Sequence, residues 1–126
     1  MPYLVDTGVL VDYLRMSAGT AEYLESLGLW SYSIVTEMEL IAGARDGREI
    51  STVGHLLFPY RKAHLVKEIG ELGRNLMKSY AKSHGLDPAD ALIAATAIHE
   101  GLTLATRNRK HFSAIAGLEV EVPEYC

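Results

Sequence analysis

The sequence predicts a single α/β domain over residues 1–126, with a mainly parallel sheet of four or five short strands and helices on both of its faces. Three observations lead there. Short apolar runs such as Tyr3-Leu4-Val5 and Leu102–Ala105 alternate with stretches of helical apolar periodicity. Glycines at 28, 85 and 101 punctuate the alternation. A chain of 126 residues, 48% hydrophobic and 22% charged, can bury a core without disulfides or a structural metal, and two domains would be implausible at that length.

The first strand is Tyr3–Val5, which leaves Asp6 at its C-terminal edge before a helix with the apolar face Val9, Leu10, Tyr13 and Leu14. A second helix opens at Gly19-Thr20 and runs to about Leu27, where Gly28 ends it. Trp30 to Val35 is aromatic and β-branched, which predicts a second strand, followed by a helix from about Thr36 to Arg45. Between 47 and 64 the pattern gives a helix from about Ile50 to Leu57, broken before Pro59, and then a short strand or loop. Leu65, Ile69, Leu72, Leu76 and Tyr80 recur every three or four residues and predict a long helix over about 66–84, stopped by Gly85. Gly70 and Gly73 would let another helix approach it closely. Asp87-Pro88 reads as the N-cap and first residue of the next helix, which presents Ala91, Leu92, Ala94, Ala95 and Ile98 and closes at Gly101. A buried strand over Leu102–Ala105, a polar loop or short helix over Thr106–Phe112, and a last strand over Leu118–Val122 complete the order.

The net charge is −4, and Glu119, Glu121 and Glu124 crowd together near the C-terminus. Such a balance argues against nonspecific coating of nucleic acid, which needs many phosphate contacts, and leaves room for a nuclease with a local basic patch. Cys126 is the one cysteine and has no partner within the chain, so a cytoplasmic protein is expected. The opening MPYLVDTGVLVDYL lacks a basic start and is interrupted by Asp6 and Asp12, so neither a targeting segment nor a membrane span is expected.

Open parallel sheets form their sites outside the carboxyl ends of the strands. Asp6 ends the first strand, Glu39 is expected in the first turn after the second, Asp90 opens the helix of the next unit, and Asn108 follows the strand ending at Ala105. Four chain-distant oxygen-bearing side chains could thus meet. Gathered carboxylates repel one another unless a hard cation neutralises them, and Mg²⁺ or Mn²⁺ accepts one or two carboxylates together with waters and phosphate oxygens. Each acid also has a purely structural reading. Thr36-x-x-Glu39 fits a capping box, Asp90 stands three residues after the N-cap Asp87, and Asp6 could cap the helix that begins near Gly8.

These residues lie in segments that resemble the PIN-domain family, and within it the short VapC-type toxins of toxin–antitoxin pairs. The segments are YLVDTGVLVDYL, IVTEMELIAG, LDPADALIAATAIHEGLTLATRNRKHF and the closing LEV, in the family's order and spacing over about residues 3–122. The resemblance implies a PIN-like fold and metal ligands at Asp6, Glu39 (rather than Glu37) and Asp90. A fourth family acid is replaced here by Asn108, which supplies no negative charge and would weaken any second metal site. Thr7 and Thr106 align with hydroxyl residues that support the acids or position water. The implied activity is metal-dependent endoribonuclease cleavage of RNA by a metal-activated water, with Mg²⁺ or Mn²⁺ as cofactor, a cognate antitoxin over the first helices, and a homodimer.

Arg107, Arg109, Lys110 and His111 are the expected phosphate contacts, against a reading as a solvated charge run. His55, His64, His84 and His99 have no metal-ligand spacing, and Trp30 and most tyrosines are read as core or edge residues. Tyr13 and Tyr23 fall on the helices that the resemblance assigns to an antitoxin or dimer surface. Two alternatives stay open at this level. An aspartyl phosphotransferase also begins with a strand-terminal Asp, but Gly8 occupies the place of its usual second Asp. A PIN-like module that only binds RNA or protein is the nonenzymatic reading, and Asn108 is its main support.

Overall fold

A computed structural model of the protein describes residues 2–126. In chain order the elements are β1 (Tyr3–Val5), α1 (Thr7–Leu14), α2 (Thr20–Ser26), β2 (Ser31–Ser33), α3 (Ile34–Gly43), α4 (Gly47–Leu57), β3 (Arg61–Ala63), α5 (Lys67–His84), α6 (Pro88–Glu100), β4 (Thr103–Ala105), α7 (Arg109–Phe112) and β5 (Val120–Glu121). The sheet has five strands in the order β3-β2-β1-β4-β5, and each pair is parallel. The chain moves outward from β1 to β2 and β3, then returns to the other side of β1 for β4 and β5. The strand order therefore reverses at the β1/β4 pair, where Leu4 faces Leu104 and Val5 faces Ala105. A crevice at such a switch point is where an open α/β sheet has room for a ligand.

Alternation within three-residue strands distributes the core. Leu4 and Leu104 join Ile69, Leu76, Ile93 and Phe112 on the face covered by α5, α6 and α7. Val5 and Ala105, one residue on, join Val9, Leu10, Leu24, Trp30, Leu40 and Val53 on the face covered by α1, α2 and α4. α6 is buried on most of its circumference, through Ala91, Ile93, Ala94, Ala95, Thr96 and Ala97, because it lies between the sheet and α5. The one hydroxyl in that run is satisfied locally, with Thr96 Oγ1 donating to Leu92 O at 2.7 Å.

Three local expectations are corrected. β2 stops at Ser33, whose hydroxyl accepts the Val35 N–H at 3.0 Å and starts α3 at Ile34; a side-chain cap overrides the β-branched preference of Ile34-Val35. Glu39 consequently stands in the second turn of α3, and Thr36-x-x-Glu39 is no capping box. α4 begins at Gly47, earlier than the apolar pattern indicates, because Asp46 Oδ1 caps the Glu49 N–H at 3.0 Å while Glu49 reaches back to the Arg45 N–H at 2.8 Å. In α1 the inward residue of the second turn is Asp12 rather than Tyr13, which is exposed. The long helix, its Gly85 stop, the Asp87-Pro88 start and the Gly101 stop all fall where the sequence puts them, with both glycines left-handed at φ 67°.

The two glycines of α5 differ. A Cβ on Gly73 would stand 3.0 Å from Leu92 Cδ2 of α6, whereas one on Gly70 would meet nothing within 4 Å. Gly70→Ala should therefore stabilise the protein by about 0.5–1 kcal/mol through helix propensity. Gly73→Val should destabilise it by about 1–3 kcal/mol through overpacking. Urea unfolding of the two variants checks this, and equal shifts would show that α5 and α6 are not held at this separation.

Candidate active site

The site is organised around Asp6. It follows β1 at the carboxyl edge of the sheet, and its N–H continues the β1/β4 ladder by donating to Ala105 O at 2.9 Å. Asp6 is 7% exposed, and its carboxylate has two partners: the Thr7 N–H at 2.8 Å on Oδ1, which makes Asp6 the N-cap of α1, and the Thr106 hydroxyl at 2.7 Å on Oδ2. The structural reading of Asp6 as a cap is therefore true of one oxygen. Thr106 is itself fully buried after β4, and its hydroxyl also accepts the Asn108 N–H at 3.0 Å.

Glu39 reaches the same neighbourhood from α3. Thr7 Oγ1 donates to Glu39 Oε1 at 2.6 Å and lies 3.0 Å from Thr36 Oγ1, so Thr7 links α1 to α3 beside Asp6. Asp90 sits in the first turn of α6, where its N–H is capped by Asp87 Oδ1 at 2.9 Å. Its carboxylate instead faces His111 Nδ1 of α7, at 3.3 Å from Oδ2, and the same ring nitrogen lies 2.8 Å from the Asn108 side-chain amide. A proton on Nδ1 serves Asp90 only when Asn108 turns its amide oxygen toward the ring. Asn108 stands at the N-cap position of α7 but makes no side-chain cap bond, so its contact with His111 is what orders it.

The acids act on one another electrostatically. Burial raises the Asp6 carboxyl above its ordinary value, the bonds from Thr106 and Thr7 oppose that, and the charge of Glu39 raises it further. Asp90 is pushed up to about 6, first by burial and then by the charges of Asp87 and Asp6, with His111 opposing. Among the described residues no lysine or arginine bridges to Asp6, Glu39 or Asp90. An all-oxygen donor set in which Asp6 and Asp90 are raised chiefly by burial, with no lysine or arginine ion-paired to it, suits a hard divalent ion. Yet among the described residues no group of three or more His, Cys, Asp or Glu side chains stands in an arrangement that would hold a metal. Glu39 is turned to the Thr7 hydroxyl, and Asp90 to His111. The donor chemistry thus fits a divalent ion, while Glu39 and Asp90 are each committed to a protein partner.

The other residues singled out by sequence lie around this edge. Arg109 and Lys110 are exposed at the start of α7, which Phe112 anchors in the core. Arg107 is also at the surface, but its guanidinium is paired with Asp12 at 3.1 Å. His111 belongs with Asp90 rather than with a row of phosphate contacts. Sequence reasoning missed Asp12 and Thr36. The signal for Asp12 was an acid placed three residues after Val9, on the stripe of α1 that turns inward.

A family model described as the PIN domain matches residues 3–118. This chain belongs to the PIN-domain family. It is 36% identical over 113 residues to Ribonuclease VapC10 of Mycobacterium tuberculosis, a match that covers 86% of this chain and 84% of the relative. It is 32% identical over 121 residues to Ribonuclease VapC19 of the same species, covering 92% and 96%. Among solved structures, a chain of a toxin–antitoxin complex from Klebsiella pneumoniae superposes with a TM-score of 0.80 at 29% identity, covering 92% of this PIN-domain chain and 94% of that one.

Burial of Asp90 beside other acids at this PIN-domain site has a signature in stability. Since the Asp90 carboxyl titrates at about 6 in the folded protein against an ordinary 3.8, the folded state holds that proton more tightly than the unfolded chain does. The Asp90 contribution to metal-free stability should therefore be fully present below about pH 4 and be lost as pH rises through about 6. At a side chain 19% exposed, the Asp90 part of that fall is on the order of 1–2 kcal/mol after solvent screening. Asp90→Asn should flatten the profile by that amount in thermal melts with chelator at pH 4.5 and 7.5, and parallel profiles would show that Asp90 is not held in this field.

Proposed function

We propose that this PIN-domain protein is the endoribonuclease toxin of a toxin–antitoxin pair, a single domain over residues 1–126 that acts in the cytoplasm and cleaves RNA phosphodiester bonds with Mg²⁺ or Mn²⁺. The observation that carries this is the pair Asp6 and Asp90, two carboxyls raised in part by burial and neighbouring negative charge at the β1/β4 switch point of a PIN-domain chain. Relatives named as VapC ribonucleases support the reaction, and similarity to toxin–antitoxin complexes supports the partner.

Asp6 and Asp90, together with Glu39, would hold the divalent ion through oxygen. Bound there, such an ion supplies positive charge for the phosphoryl oxygens and acidity for an attacking water. The chain's own residues do the rest. The Thr7 N–H and Thr106 hydroxyl fix the Asp6 carboxylate in one orientation, while the Thr7 side chain holds Glu39 beside it. Arg107, Arg109 and Lys110 contact backbone phosphates next to the acids. Asn108 offers an uncharged amide where an acid would otherwise deepen the negative field.

For the antitoxin, a groove of about 640 Å³ runs between α1, α3 and α4, lined by Val11, Leu14, Leu40 and Val53, with Glu39 in its wall. A peptide laid there could direct an arginine toward the carboxylates, meeting their charge as a metal would. Exposed Met38 and Ile41 on α3 add apolar surface for the antitoxin or for the second subunit of a homodimer. No helix among the described residues is long and apolar enough to cross a membrane. A second reading, a binding module without turnover, draws on the commitment of Glu39 to Thr7 and Asp90 to His111.

Asp6→Asn separates the two. It should reduce divalent-metal-dependent cleavage of RNA by at least about a hundredfold while the fold is retained, and excess chelator should do the same to the wild type. Cleavage that survives both treatments would remove the metal site, and binding without any metal-dependent turnover in the wild type would favour the module. Asn108→Asp should tighten Mn²⁺ or add a second binding event in calorimetry, because a further carboxylate near the ion outweighs the mutual repulsion of the acids once the ion is bound. Unchanged affinity and stoichiometry would exclude Asn108 from the site.

A further inference from the structure

Arg107 does not extend freely into solvent. Its side chain folds across Gly8, where a Cβ would stand 2.7 Å from Nε and 3.5 Å from Cδ and Cγ, so the missing side chain at Gly8 leaves its path open. At the end of that path Nη1 donates to Asp12 Oδ1 at 3.1 Å. Asp12 is buried on α1, and its other oxygen accepts from the Tyr125 hydroxyl at 2.8 Å. Tyr125 lies beyond β5, in the C-terminal tail. Its Cβ would be 2.8 Å from a Cβ on Gly19, a residue at φ +88°, and its ring meets Tyr23 edge to face at 5.9 Å. Tyr23 is anchored in turn, since it donates to Glu121 Oε2 at 2.6 Å while Tyr3 donates to Oε1 at 3.0 Å. A continuous line of bonded and packed side chains thus runs from the tail to the side chain of Arg107, the residue after Thr106, which holds Asp6.

The guanidinium is held but not covered. Its side chain is 46% exposed, only one of its nitrogens is engaged by Asp12, and its charge is felt at Asp6. A partly exposed ion pair of this kind adds little to stability by itself, roughly 0–1 kcal/mol. Orientation is the larger consequence, because a guanidinium already fixed on one side loses less freedom when its remaining N–H donors meet a phosphate.

We infer that the C-terminal tail belongs to the substrate-binding apparatus: Tyr125, acting through Asp12, is a positioning residue that holds Arg107 ready for an RNA phosphate at the rim of the Asp6–Asp90 site. This rests on the ribonuclease reading above. Arg107 would touch the substrate; Asp12 and Tyr125 would act only through it.

Tyr125→Phe in the full chain is the test, because it deletes the hydroxyl and keeps the ring against Tyr23 and Gly19. With a mixed-sequence single-stranded oligoribonucleotide, KM should rise about 3–10-fold while kcat stays within about twofold, the size expected for losing one hydrogen bond that orients a binding group. Binding of the same fluorescein-labelled oligonucleotide is followed by anisotropy in an Asp6→Asn background, where cleavage is blocked. There Arg107→Ala should reduce the salt slope by about one counterion, and Tyr125→Phe added to Arg107→Ala should weaken binding no further. Asp12→Asn, which preserves shape, should match Tyr125→Phe. A lowered melting temperature with unchanged KM and unchanged RNA affinity, or additive effects in the double variant, would overturn the inference and leave the ribonuclease reading standing. A wild type that neither binds nor cleaves the oligonucleotide would overturn both.

Discussion

A carboxylate buried at the end of a strand must be given hydrogen bonds by the protein, and the way Asp6 receives them orders everything around it. One bond comes from the start of its own helix and the other from Thr106, the first residue beyond the neighbouring strand. Since its N–H also extends the β1/β4 ladder, Asp6 joins the two strands at the point where the sheet changes direction. Thr106 carries the arrangement onward by taking the Asn108 N–H, which shapes the turn into α7 and brings His111 to Asp90. Loss of the Thr106 hydroxyl would leave a buried carboxylate short of a donor and loosen the approach of α7 at the same time.

The acids are not arranged for stability. Burial raises both Asp6 and Asp90, the charge of Glu39 adds to it at Asp6 and those of Asp87 and Asp6 at Asp90, and the fold tolerates this because the core under them is dense and small-featured. The alanine-rich face of α6 allows it to lie close to the sheet, and the bare Gly73 allows α5 to close over α6 from the other side. That double packing holds the N-terminus of α6, and with it Asp90, against the carboxyl edge. Glu39 and Asp90 each hold a protein partner, the Thr7 hydroxyl and the His111 ring.

Several parts of this protein were legible because they depend on local chemistry. Asp87-Pro88 and Gly101 bound α6 through capping and left-handed glycine geometry, which neighbours in sequence decide. The period of Ile69 to Tyr80 gave α5 its inward face, because amphipathic spacing survives whatever it packs against, whereas Leu65 falls before the helix and is exposed. The start of α3 was not legible in this way. Ile34 and Val35 favour a strand by side-chain shape, and the Ser33 hydroxyl reversed that by offering a bond to the Val35 N–H. Asp12 was read as a break in an apolar segment when it is the buried partner of residues 95 and 113 positions away.

By itself the sequence determined the parallel α/β architecture and the elements that carry Asp6, Glu39 and Asp90, which follow from apolar periodicity and turn chemistry, and its motifs carried the resemblance to the PIN-domain family. Only the tertiary structure decided what each of those side chains touches: Asp6 on Thr106, Glu39 on Thr7, Asp90 on His111, Arg107 on Asp12. The physical reason is that a polar side chain chooses among partners by distance and desolvation, and both are set when remote strands and helices close on one another rather than by the residues beside it in the chain.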